Sequence, residues 1–262
     1  MSALLNRLPY ARFLGLESEQ DGDVLTVTMP FAERLIGNPM LPALHGGATA
    51  ALLELTAVAQ VALVWPRFYA ALAASAEDKQ DFLDAVAEHG RHQTLKALEK
   101  ALQKRVEFKL ADDAGVVEAS VQPFAALFPR WVDLAVPELA LLQPGARERW
   151  LARAKLLGGE ANKTPKTAAS AVVDAFQLAD EPALMPRRLA LLRKGLFVAS
   201  EDRLNTNLTK FAAAQEAEPE LQDLCSARRQ HAAWLHHQRL ARLTRVLLTA
   251  YADLKRERGW VD

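Results

Sequence analysis

The stretch that decides the fold is Pro219–Arg258, PELQDLCSARRQHAAWLHHQRLARLTRVLLTAYADLKRER. It holds no glycine, and its one proline stands at the start, where the fixed φ of proline suits a first helical turn. Gly259 follows the last basic residues as a stop signal. Forty residues at about 1.5 Å each predict one helix of roughly 60 Å. Leu240, Leu243, Leu247, Tyr251 and Leu254 recur at three- and four-residue spacing and form one apolar stripe. Arg228, Arg239, Arg242, Arg245 and Arg256 share an arc of about 120° on nearly the opposite side. One face should therefore pack on a helical body. The other is expected either to be a solvated face or to contact phosphates.

Working back from that helix, residues 65–218 keep the same period. Trp65–Ala76, Asp81–Gly90 and Thr94–Lys109 read as helices, the third with Leu95, Leu98, Leu102, Val106 and Leu110 on its apolar face. Lys96, Lys100, Lys104, Arg105 and Lys109 make that helix basic, with Glu99 and Glu107 as partners. Asp112–Gly115 is a turn, and Pro123, Pro129, Pro137 and Pro144 punctuate a loop-rich section. Ala146–Leu157, Thr167–Leu178, Pro186–Leu196 and Leu204–Ala217 are further helices. His89 and His92 lack a carboxylate or cysteine to complete a metal set, and His231, His236 and His237 lie among arginines, so no metal is expected. Asn162-Lys163-Thr164 lacks the glycine that a phosphate loop requires before its lysine.

Four stretches carry a resemblance. They are Trp65–Ala73; His92-Gln93-Thr94 with Leu102-Gln103-Lys104-Arg105-Val106-Glu107-Phe108; Lys163-Thr164-Pro165-Lys166; and Tyr251–Asp262. Residues 65–262 resemble the helical subdomain 1B of UvrD/RecB-like superfamily 1 helicases, in particular the helicase subunits of bacterial helicase–nuclease complexes. The resemblance implies a module that contacts DNA ahead of a motor, in the setting of DNA repair. The phosphate-binding lysine loop and the Asp-Glu magnesium motif of such motors are absent from the sequence, so no ATP hydrolysis is expected.

Residues 1–64 differ in kind. Leu8–Leu16 reads as a short helix or turn, Asp21-Gly22-Asp23 as a turn, and Val24–Met29 alternates as a half-buried strand does. Gly37-Asn38-Pro39 and Pro42 make an irregular loop that leads through His45-Gly46-Gly47 into the apolar helix Ala48–Val64. Glycines at a helix start let a ligand approach the backbone, and the free N–H groups favour a carbonyl oxygen gaining negative charge. Glu54, the only charged residue of that helix, is expected to be a buried carboxylate suited to acid–base or nucleophilic work. It lies nine residues, roughly 13 Å, beyond His45, so it could serve the glycine loop of a second, antiparallel copy but not its own.

Leu8-Pro9-Tyr10-Ala11, Gly22-Asp23, Gly37-Asn38-Pro39 and His45-Gly46-Gly47 with Leu52 and Glu54 together resemble the N-terminal half of PaaI-like hotdog-fold thioesterases. The resemblance implies that the loop His45, Gly46, Gly47 polarises a thioester carbonyl, that Glu54 activates water or attacks, and that Asn38 flanks the site. The partners it implies are acyl-CoA and a second copy docked through the hotdog helix. The later strands that such a fold needs are missing, since the chain turns helical from Trp65.

Composition bounds the rest. Thirty-two basic and 32 acidic residues cancel. The first 64 residues are net −3 and the remainder net +3. Cys225 is the single cysteine, which excludes an intrachain disulfide and fits a cytoplasmic setting. No membrane span is expected, because Ala48–Val64 is short for one and carries Glu54. The expectation is a mainly α protein with one very long C-terminal helix, preceded by a small α+β partial hotdog segment, divided at residues 1–64 and 65–262. It is further expected to be a fused or fragmentary chain whose larger part binds DNA non-specifically. Acyl-CoA thioesterase chemistry is the alternative, and no independent activity a third. No cofactor is expected.

Overall fold

A computed structural model describes residues 8–21, 24–38, 40 and 43–259. Within them the protein is mainly α. The helices are α1 (Pro9–Leu14), α2 (Gly46–Ala74), α3 (Ala76–His89), α4 (Arg91–Gln103), α5 (Arg105–Asp113), α6 (Val116–Ala119), α7 (Phe124–Leu127), α8 (Ala146–Gly158), α9 (Lys163–Gln177), α10 (Met185–Leu196) and α11 (Ala212–Arg258). Two small antiparallel sheets pair β1 (Glu17–Asp21) with β2 (Val24–Thr28), and β3 (Ile36–Asn38) with β4 (Ala43–Leu44). The turn expected at Gly22-Asp23 and the loop residues Pro39 and Pro42 lie outside the described residues.

The chain divides into two compact units, residues 1–111 with 239–262 and residues 112–238. Helix α11 contributes to both, its residues from Arg239 onward belonging to the first. This division by packing is not the division by resemblance at Val64–Trp65, which falls inside helix α2.

In the first unit, α2, α3, α4 and the end of α11 share a core of Val64, Phe68, Leu72, Ala85, Leu98, Leu102, Leu243, Leu247 and Leu254. The stripe read from the sequence is the face that packs. Each fully buried leucine there stabilises by about 1.5–3 kcal/mol. Phe68, Tyr69 and Phe82 meet in edge-on and tilted pairs beside it. Thr94 is buried and donates to the carbonyls of Ala85 (3.2 Å) and Gly90 (3.1 Å), tying α4 to the end of α3. A separate small core of Ala11, Leu14, Leu16, Leu35, Ala48 and Ala51 joins α1 to the start of α2.

The second unit is built on α8, α9, α10 and the first half of α11 around Trp150, Leu157, Val172, Phe176, Leu189, Leu192, Leu221 and Leu224. Cys225 lies in this core, where burial pushes its thiol pKa up and keeps it unreactive.

Five sequence expectations are corrected. The long helix starts at Ala212 and not at Pro219, which sits inside it. Ala213, Ala214 and Ala217 are buried in the second core, and their burial offsets the hydrogen bond that proline removes. Leu204 belongs to a bridge with Phe197 and not to a helix. Trp65–Ala76 is no separate helix, because α2 runs from Gly46 to Ala74 through Pro66, with Val64 and Phe68 buried on either side of it. By length and composition α2 could cross a membrane, contrary to the shorter helix expected, but Val64, Phe68 and Leu72 are taken up by the core of the first unit. The basic helix expected over Thr94–Lys109 breaks at Lys104, and beyond the break Val106 and Leu110 are exposed.

Candidate functional site

The glycine loop forms a capped helix start. His45 precedes α2 in extended conformation, and its Nδ1 accepts the Gly47 N–H at 3.0 Å. Its carbonyl accepts the Ala48 N–H at 2.8 Å. The Gly47 donor that a thioester carbonyl would need is thus already engaged by the histidine side chain. Gly37 is required by close approach, since a Cβ there would lie 2.9 Å from the His45 Cα. Gly46 faces open space. Asn38 Oδ1 accepts the Met40 N–H at 3.0 Å and so serves a local turn. Glu54 is exposed on α2, which corrects the expectation of a buried carboxylate.

The arginine arc divides by partner. Arg239 is largely covered and donates to Glu88 (2.7 Å) and Asp84 (2.9 Å) of α3. Arg242 grips Asp81 with both arms, at 2.6 and 2.9 Å. That hydrogen-bonded carboxylate pushes the Arg242 pKa up. Asp81 itself is buried, so these contacts clamp α3 to α11 beside the leucine core. Arg228, in the second unit, lies 3.3 Å from buried Glu138. Arg245 lines an open groove with Arg67, Ala70 and Thr249. Arg256 is 77% exposed and meets a neighbour on its own helix, Asp253, at 2.9 Å. The middle of the arc is therefore a structural clamp and not the open cationic face that its spacing suggested. At the end of α11, Arg256 and Glu257 are exposed.

Three arrangements escaped the sequence. The Tyr251 ring has the Arg105 guanidinium 5.5 Å from its centroid and the Lys255 ammonium at 5.8 Å. It thereby joins the basic run of α4 and α5 to the basic last turn of α11, Lys255, Arg256 and Arg258. In the second unit Arg188 is 1% exposed. It donates to the carbonyls of Ala175, Leu178, Ala179 and Leu141 and to Asp180. Its sequence signal was its position, three after Met185 and four before Leu192, on the buried stripe of α10.

Ser120 and His237 approach at 3.1 Å and look like a nucleophile with its base. However, His237 Nε2 lies 2.5 Å from the Val117 carbonyl oxygen, which can only accept. That nitrogen carries the proton, so it cannot take one from Ser120. No protein-family model, curated protein or solved structure matches the chain.

Proposed function

We propose that the larger part of the chain is a helicase-derived helical module that holds DNA by its phosphates without sequence preference. It contributes no ATP hydrolysis of its own. The observation that carries this is the basic surface joined at Tyr251. Lys96, Lys100 and Lys104 of the α4 region are exposed, Arg105 and Lys255 flank one ring, and Arg256 projects beyond it. All belong to the first unit. Lysine and arginine heads on exposed helix positions suit phosphate oxygens, which carry no sequence information. The aromatic ring between the cations is 8% exposed, so it holds the surface together and offers no platform for base stacking. Support also comes from the sequence resemblance of residues 65–262 to helicase subdomain 1B.

Reversing Arg239 and Arg242 would be a poor test, since it would put glutamates against Asp81, Asp84 and Glu88 and loosen the core. The informative variant is Lys100→Glu with Lys255→Glu and Arg256→Glu. Fluorescence anisotropy with a labelled duplex at low salt should show at least about tenfold weaker binding. The slope of log affinity against log salt should shrink by about one for each phosphate that is no longer neutralised. Helicity by circular dichroism should be unchanged. Absence of wild-type binding at low salt, or equal binding by the triple variant, overturns the proposal.

A further inference from the structure

A cleft in the second unit has the chemistry of an anion site. It encloses about 290 Å³ and is lined by Arg130, Trp131, Ala140, Gln143, Arg149 and Glu220. A water molecule's share of the liquid is about 30 Å³, so the cleft has room for a phosphate-sized group and part of what carries it. The Arg130 guanidinium lies 4.1 Å from the centroid of buried Trp131, which fixes its plane. One of its arms reaches Asp223 at 2.6 Å. Arg149 reaches Glu220 with one arm at 3.2 Å, and Arg153 holds the other oxygen of the same carboxylate at 2.6 Å.

Each lining arginine is thus oriented by one single-armed ion pair, which leaves further N–H donors of its fork for a ligand. Arg130, Asp223 and Arg149 are about half exposed, so the Arg130–Asp223 pair is of the weak, solvent-competed kind. Three arginines face two carboxylates here, leaving one positive charge in excess. Gln143 adds an exposed amide that can donate beside them. Of the lining residues, Trp131 and Ala140 belong to the core of the second unit.

We propose that this cleft binds a phosphoryl group through Arg130 and Arg149, with the Gln143 amide as a further donor. The group is a free phosphate or the terminal phosphate of a nucleotide chain. The site lies in the second unit and does not depend on the DNA surface of the first, so the two proposals fail separately.

The test is calorimetric titration of the full chain with inorganic phosphate, and then with a short oligonucleotide with and without a 5′-phosphate, at matched ionic strength. Saturable binding of phosphate, or of the 5′-phosphorylated oligonucleotide in preference to the unmodified one, is expected. The two outcomes distinguish a free ion from a chain end. Arg130→Gln with Arg149→Gln should weaken that binding at least tenfold, whereas Lys100→Glu should leave it unchanged. Glu220→Gln removes the repelling carboxylate at constant shape and should tighten it several-fold. No saturable binding to either probe by the wild type overturns the proposal. So does undiminished binding by the double variant, or weakened binding by Glu220→Gln in a chain of unchanged helicity.

Discussion

Arg239 and Arg242 of the first unit and Arg188 of the second are used in opposite ways. In the first, Arg239 and Arg242 meet the carboxylates of Asp81, Asp84 and Glu88 across two helices, at the edge of a leucine core. In the second, Arg188 is sunk to 1% exposure and meets chiefly backbone carbonyls, among them those of Ala175 and Leu178 at the end of α9. Its carboxylate partner Asp180 sits on the surface, and the Arg188 hydrogen bond lowers its pKa from the ordinary value. Side-chain partners can be removed together, so a clamp of charges is replaceable as a set. Carbonyls at a helix end cannot be removed, so the group that satisfies them is not replaceable.

The largest effect should therefore come from Arg188. Arg188→Leu leaves several buried carbonyls without a donor and should cost about 3 kcal/mol or more of stability in urea unfolding. Arg188→Lys should recover only part, because an ammonium cannot span the same fork of acceptors. Asp180→Ala should matter far less than either. A small effect for Arg188→Leu, or equal effects for Arg188 and Asp180, would break the contrast.

A middle-sized effect asks whether packing or polar capping dominates the second unit. Gly195 of α10 lies so close to α9 that a Cβ there would come 2.4 Å from the Ala171 Cβ. Gly195→Ala should cost about 1–3 kcal/mol through overpacking. Ala171→Gly in the same chain should restore most of it. Failure of that rescue would mean that the helix pair is held by something other than the close approach.

The first unit should behave more mildly. Arg242→Ala and Asp81→Ala should each destabilise, but their double-mutant cycle should return a coupling of only about 1 kcal/mol, since Arg242 is partly exposed and screened. A coupling near zero would leave the leucine stripe and the Arg239 contacts with Asp84 and Glu88 to tie α3 to α11.

This contrast also explains what could be read in advance. Helix α8 and strand β2 stand within a residue or two of expectation, because a single element's periodicity fixes them. The stripe Leu243, Leu247 and Leu254 was legible as a core face for the same reason. The role of Arg242 was not, because its partner Asp81 lies 161 residues away. Periodicity says which side of a helix a charge lies on, and says nothing of what the chain later brings against it. Pro219 misled in the same way, since burial of Ala217 outweighs a local breaker. In residues 1–64 the motif marked the helix start correctly. The capping role of His45 depended on a rotamer that no spacing encodes.

The smallest effect concerns pH, and it separates the units once more. His231 of the second unit stands edge-on to Phe124, with ring centroids 5.2 Å apart, and stacks on Trp234 at 5.9 Å. Its Nδ1 is buried without a hydrogen-bond partner among the described residues. Burial holds its pKa below the ordinary imidazole value, and nearby Glu138 opposes this more weakly. The fold thus favours the neutral ring. Above about pH 6.5 the folded and unfolded chains both carry it neutral, and it has no effect on stability. As pH falls below that value the unfolded chain takes up a proton that the folded chain refuses, so stability is lost until the folded pKa is passed. Glu257 of the first unit is depressed by its Arg67 hydrogen bond, and its contribution disappears only in the lower carboxylate range. A mild decline between about pH 7 and about pH 5 should therefore be traced to the second unit and be reduced in His231→Gln. Urea midpoints of the two proteins across that window decide the matter. If the variant keeps the full wild-type slope, the other histidines carry it and the buried ring is silent.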